Sequence, residues 1–173
     1  MGFSGGIKSG GGLFYGDGTL RPFTFSAIAP GADSAGDWAY VVLAFQPDGS
    51  DKVNTKHLFL GGVDRYEFEE GGTTAQGLNK DGEASALTSI GAKTPVGRFF
   101  QTLVENGGDV NIESVLPDLE AGEALDFSGL TGARVQLGEE TDVKGTASNG
   151  QIVGKDGISR DRKNVIVEAV YAL

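Results

Sequence analysis

Two hydrophobic periods divide the chain. From Pro22 to Ala29, Phe23, Phe25, Ala27 and Ala29 alternate with Thr24, Ser26 and Ile28, the two-residue period of a strand. Trp38 to Gln46 is β-branched and aromatic and stops at the turn Pro47-Asp48-Gly49-Ser50, which predicts a second strand. A third spans Lys56 to Leu60 and closes at Gly61-Gly62. Arg65-Tyr66-Glu67-Phe68-Glu69 alternates as well, as an extension past a bulge or as an extra hairpin arm. The period then changes. Val96, Phe99, Phe100, Leu103 and Val104 recur at helical spacing, with Thr94 as N-cap, Pro95 at the first helical position and Asn106-Gly107-Gly108 as the stop. Residues 109–130 read as a long acidic connection anchored by Val115-Leu116-Pro117 and Leu125-Asp126-Phe127. Ala133 to Leu137 is the fourth strand and Asn164 to Tyr171 the fifth.

The order β-β-β-α-β-β predicts a mainly β fold: a five-stranded, OB-like Greek-key barrel with one short α-helix, about 94–106, between strands three and four. Residues 1–173 form a single domain on this reading, since the length suits one core and no repeat or boundary interrupts it. Residues 1–20 are set apart as a glycine-rich N-terminal arm, and 138–163 as a long basic loop between the last two strands.

Composition changes this picture in two ways. Hydrophobic residues are only 39% of the chain, but 29 scattered glycines explain the low share as turns on a β framework. The absence of cysteine excludes disulfides and thiolate metal sites. No apolar run approaches the ~18 residues of a membrane span, and the N-terminus lacks a signal-peptide pattern. A soluble, intracellular protein is expected, or a virion component made inside a cell.

Net charge is −10, which argues against a nucleic-acid partner. The charge is uneven, however. Acidic residues dominate 64–142, whereas Lys144, Lys155, Arg160, Arg162 and Lys163 face only Asp156 and Asp161. A basic loop on an acidic body fits a binding site confined to one surface, and equally an ordinary solvated loop.

Catalytic chemistry is hard to place. The single histidine, His57, lies in a strand and reads as a packing or surface residue. No zinc-protease pair, nucleophile elbow or phosphate loop is present, and Asp48-Gly49-Ser50-Asp51 and Asn79-Lys80-Asp81-Gly82 lack the ligand run of a calcium loop. No enzyme activity, cofactor or metal is expected.

Binding chemistry is better represented. Single strands are held by cations along the phosphates and by aromatic faces on which bases stack. Val41, Leu43 and Phe45 suit the core, so Trp38 and Tyr40 point outward from strand two. Trp38, Tyr40 and Phe59 are the candidate stacking residues. Lys56, Arg65, Lys144, Lys155, Arg160, Arg162 and Lys163 are the candidate phosphate contacts. Phe14 and Tyr15 in the arm either cover the barrel or reach a partner subunit, which makes a homo-oligomer the expectation.

The chain resembles phage-encoded single-stranded-DNA-binding proteins of the OB type. The likeness lies in Gly10-Gly11-Gly12-Leu13 before the first strand, in the segment Arg98-Phe99-Phe100-Gln101-Thr102-Leu103-Val104-Glu105-Asn106-Gly107, in Gly129-Leu130-Thr131-Gly132-Ala133-Arg134-Val135, and in Arg160-Asp161-Arg162-Lys163 before a Val/Ile strand. The resemblance implies a barrel that coats replication or recombination intermediates without a cofactor. Many such proteins end in an acidic tail, whereas this chain ends Val170-Tyr171-Ala172-Leu173. The rival expectation is a phage virion or decoration subunit, or another β-rich interaction protein.

Overall fold

The computed structural model describes residues 15–28, 38–85, 90–91, 94–141, 151–153, 159–161 and 163–173. Its strands are β1 (Gly16–Ile28), β2 (Trp38–Pro47), β3 (Asn54–Gly62), β4 (Tyr66–Glu67), β5 (Thr74–Gly77), β6 (Leu125–Asp126), β7 (Arg134–Thr141), β8 (Gln151–Val153), β9 (Ser159–Asp161) and β10 (Lys163–Ala172). One α-helix, α1 (Pro95–Glu105), falls among the described residues. The fold is mainly β. A five-stranded antiparallel sheet runs β10-β7-β1-β2-β3, beside a small sheet β4-β5-β6 and the hairpin β8-β9.

Alternation along the long strands builds the core. Leu20 and Phe25 of β1, Val41, Leu43 and Phe45 of β2, Leu58 and Leu60 of β3, Val135 and Leu137 of β7, and Val165 and Val167 of β10 are all buried. Helix α1 adds Val96, Phe99 and Leu103, and the acidic connection adds Leu125, Phe127 and Leu130. Of the anchors expected in that connection, Leu125 and Phe127 lie in the core, and Val115 and Leu116 are partly buried against it. Phe100 stacks on Phe127 at 4.3 Å between centroids. Each fully buried side chain of this size contributes about 1.5–3 kcal/mol of transfer free energy.

Helix α1 begins as the sequence predicts, with the Thr94 hydroxyl accepting from Gly97 N–H at 3.0 Å. Its buried face is rotated slightly from the expected one. Val104 is exposed and Thr102 is buried. The reason is a polar task at the sheet edge. Thr102 Oγ1 donates to Phe99 O at 2.9 Å and accepts from Val167 N–H at 2.9 Å. Asn106 Nδ2 donates to Val167 O at 2.8 Å. The helix thus satisfies both backbone groups of an edge-strand residue, which protects that edge from other chains. Arg98 adds a two-pronged ion pair to Glu140 on β7, at 2.6 and 2.8 Å.

Three boundaries differ from the sequence reading. No ladder joins β3 to β10 among the described residues, so the five strands form an open sheet and hydrogen-bonded closure of the barrel is not observed; at the β10 edge, α1 side chains bond where a neighbouring strand would. The first strand begins at Gly16, inside the segment assigned to the arm. Gly18 pairs with both Pro47 and Val135, and a Cβ there would run into Gln46 O and the Phe45 ring. The 138–163 loop is shorter than expected, because β7 continues to Thr141 and β8 pairs with β9 inside it. The alternation at 65–69 is a hairpin arm, with Tyr66 opposite Gly77.

Candidate nucleic-acid interface

The outer face of β1, β2 and β3 carries the site. Register sets its rows: Ile28, Trp38 and Gly62; then Ser26, Tyr40 and Phe59; then Thr24, Val42 and His57; then Arg21, Ala44 and Thr55. Between the last two rows, β1 bulges by one residue across Arg21–Thr24. Pro22 sits in this bulge, a position that tolerates the missing N–H.

Four rings on this face touch in series. Trp38 meets Phe59 at 5.2 Å and 69°, Phe59 meets Tyr40 at 5.8 Å and 72°, and Tyr40 meets His57 at 5.9 Å and 78°. These are edge-to-face contacts, in which one ring's positive rim meets another's negative face. Trp38 is 44% exposed and Ile28 is 40% exposed, while Tyr40 and Phe59 are half-buried and His57 is exposed. The row is thus open to water at both ends, Trp38 and His57, and half open between them. It can stack planar ligands.

The charges around the row are mixed. Arg21 is exposed and, by register, shares this face at the His57 end; no carboxylate pairs with it among the described residues. Glu70 flanks the other side. Gly71 N–H donates to Phe25 O at 2.8 Å and Phe25 N–H donates to Gly72 O at 2.9 Å, which fastens the turn to the free edge of β1. Gly71 has φ of 77°, a conformation glycine adopts without strain. Glu70 then accepts from Ala27 N–H at 2.9 Å and from Ser26 Oγ at 2.7 Å. The Ala27 N–H, followed by the Ser26 hydroxyl, holds the Glu70 carboxyl below the usual carboxylate range.

The structure brings together only some of the residues singled out by sequence. Trp38, Tyr40 and Phe59 lie side by side. Lys56 does not join them: it pairs with the fully buried Leu43, and its Nζ stands 5.8 Å from the centroid of the Tyr15 ring. An odd-numbered step along β3 separates the two faces, so Lys56 belongs to the opposite side from Phe59. Tyr15, expected to cover the barrel or reach a partner subunit, is engaged within the chain. Its hydroxyl donates to Glu139 Oε2 at 2.7 Å and lies 3.4 Å from Lys56 Nζ. Burial first, then Glu139, pushes that phenol well above the ordinary tyrosine range.

Arg65 is exposed in the 3-10 turn after β3, in an open groove with Asp64, Lys80 and Asp81. Lys163 is exposed at the start of β10. Arg160 falls in β9, and its side chain lies outside the described residues, as do Phe14, Lys144, Lys155 and Arg162. Sequence reasoning missed Arg21, His57 and Glu70. His57 was within reach, since it stands two residues before Phe59 and must share its face. Arg21 was hidden by the bulge, and Glu70 by its dependence on a distant turn.

Among the described residues no cluster of three or more His, Asp or Glu side chains is arranged to hold a metal, and no helix is long and apolar enough to cross a membrane. No protein-family model, curated protein or solved structure matches the chain.

Proposed function

We propose that the protein binds single-stranded DNA on the outer face of β1–β3, without catalysis and largely without regard to sequence, in phage DNA replication or recombination. The observation that carries this reading is the exposed edge-to-face row Trp38–Phe59–Tyr40–His57. Aromatic platforms are the sequence-tolerant element of single-strand recognition, because every base has a π face. Arg21 at one end of the row supplies a phosphate contact. Arg65 lies past the end of β3, beyond the Trp38 row. Lys163 and the basic side chains between 144 and 162 are further candidate phosphate contacts.

The strand order supports the fold side of the same reading. Strands β7-β1-β2-β3 follow the spatial order 4-1-2-3 of a Greek key, and the fifth strand lies beyond the fourth. An OB fold is a partly open five-stranded barrel of this kind, and its strand two–three face binds oligonucleotides. The host-cell cytoplasm and a homo-oligomeric state belong to this proposal. The rival, a virion or decoration subunit, gains from the ionised Glu70 beside the row and from the net charge of −10, both of which suit a protein occupant better than a polyanion.

Titration of the chain with oligo(dT) across a salt series separates the two. The expected result is quenching of Trp38 emission, with log affinity falling against log salt by about 0.7 per phosphate neutralised. Unchanged emission and no binding at low salt would reject the DNA reading. A Trp38→Ala substitution that lowers the assembly mass seen by sedimentation would then favour the structural subunit, with this face closing between copies.

A further inference from the structure

Glu70 is out of place on a surface meant only for phosphates. Its carboxylate is exposed, yet it is tethered at two points, to Ser26 Oγ and to Ala27 N–H. Ser26 is the register partner of Tyr40, and Tyr40 is the partner of Phe59. The carboxylate therefore stands one strand away from the middle of the aromatic row. Each of its oxygens uses one acceptor position on the tether and keeps one for a ligand.

Resting on the reading above, we propose that Glu70 is the base-discriminating residue of this face, accepting hydrogen bonds from the exocyclic amino groups of bases stacked on Tyr40 and Phe59. A fixed anion at this point has two effects on a single strand. It repels the phosphates, so the backbone runs on the side away from the Gly71–Gly72 turn and the base edges face Glu70. It also favours bases that present a donor there. Cytosine presents its N4 amino group where thymine presents the O4 acceptor, and a carboxylate accepts from the former and repels the latter. Adenine and guanine also carry amino donors, but their larger stacking surface mixes two effects. Cytosine against thymine isolates the hydrogen bond. The binding is therefore tolerant in its stacking and selective in one edge contact.

The test uses the full chain with fluorescence polarisation of matched oligo(dC) and oligo(dT) at neutral pH. The wild type is expected to hold oligo(dC) about five- to tenfold more tightly, the scale of one charge-assisted hydrogen bond in a half-open site. Glu70→Gln keeps the shape and removes the charge, so the ratio falls to about one, with oligo(dT) bound no more weakly than before. Ser26→Ala keeps the charge and removes one of the two tethers, leaving the Ala27 N–H bond, so the ratio falls part of the way toward one while net charge is unchanged. A purely structural role for Glu70 shifts the thermal midpoint and leaves the ratio alone. Equal binding of the two oligonucleotides by the wild type, or a ratio that Glu70→Gln leaves intact, overturns the assignment and leaves the DNA face standing. Failure of the wild type to bind either oligonucleotide rejects the DNA reading, and this assignment with it.

Discussion

The two faces of β1–β3 use the same residue types for opposite ends. On the inner face, Phe25 and Phe45 are fully buried in the core, and Phe25 meets the rings of Phe68 and Phe127. On the outer face, Phe59 makes comparable ring contacts with Trp38 and Tyr40, yet Trp38 stays 44% exposed. Composition alone does not separate the two sets. The difference is that the inner rings lose water when the chain folds, whereas the outer rings keep part of theirs. The outer set retains hydrophobic free energy that a ligand can still collect on binding.

Breaking each face in turn measures the difference. Phe25→Ala leaves a cavity in the middle of the core and is expected to cost about 3–5 kcal/mol in urea unfolding. Tyr40→Ala is expected to cost little more than about 1 kcal/mol in stability, while weakening oligo(dT) binding by about 1–3 kcal/mol, the usual worth of one base–aromatic stack. Equal stability losses for the two substitutions would show that the outer row is structural. Thr102→Val tests the sealed edge beyond both faces. It preserves shape but leaves the Val167 N–H without its acceptor, for an expected loss of about 1–3 kcal/mol. Thr102→Ser restores the hydroxyl and is expected to recover most of that loss, which a simple packing defect would not allow.

How much of this was legible in the sequence depends on the range of the interaction involved. The helix was readable because its cap, its proline and its stop are local, and the structure keeps them at Thr94, Pro95 and Asn106. The outward direction of Trp38 and Tyr40 followed from alternation, and Val41, Leu43 and Phe45 fill the core as that alternation requires. Lys56 was misplaced although the same rule applied to it, because it stands one residue from His57 and three from Phe59. Barrel closure was not readable, since it depends on what α1 places against β10. The Val167–Thr102 and Val167–Asn106 bonds span 65 and 61 residues. Arg21 entered the outer face only through a bulge, which no periodicity announces. Glu70 depends on a turn fastened to β1 by two backbone bonds, and those are tertiary.

The smallest expected effect distinguishes two ion pairs that β7 makes among the described residues. Arg98–Glu140 joins the helix to the sheet with side chains 29% and 25% exposed, whereas Arg134–Asp48 lies in the open at 41% and 49%. Arg98 holds the Glu140 carboxyl below the usual glutamate range, chiefly through the hydrogen bond between them. A carboxyl depressed in the folded state stabilises the fold fully above its unfolded pKa, about 4.3, and loses that contribution as pH falls through the lower folded value. Unfolding midpoints followed from neutrality into that acid range should therefore fall less steeply for Glu140→Gln than for wild type. The Asp48 carboxyl is depressed in the same direction by Arg134, but solvent and salt screen an exposed pair. Asp48→Asn is expected to leave the acid limb nearly unchanged in 0.15 M salt, near physiological strength. If Asp48→Asn flattens that limb as much as Glu140→Gln does, the helix–sheet clasp has no special share in acid stability, and the edge rests on Thr102 and Asn106 alone.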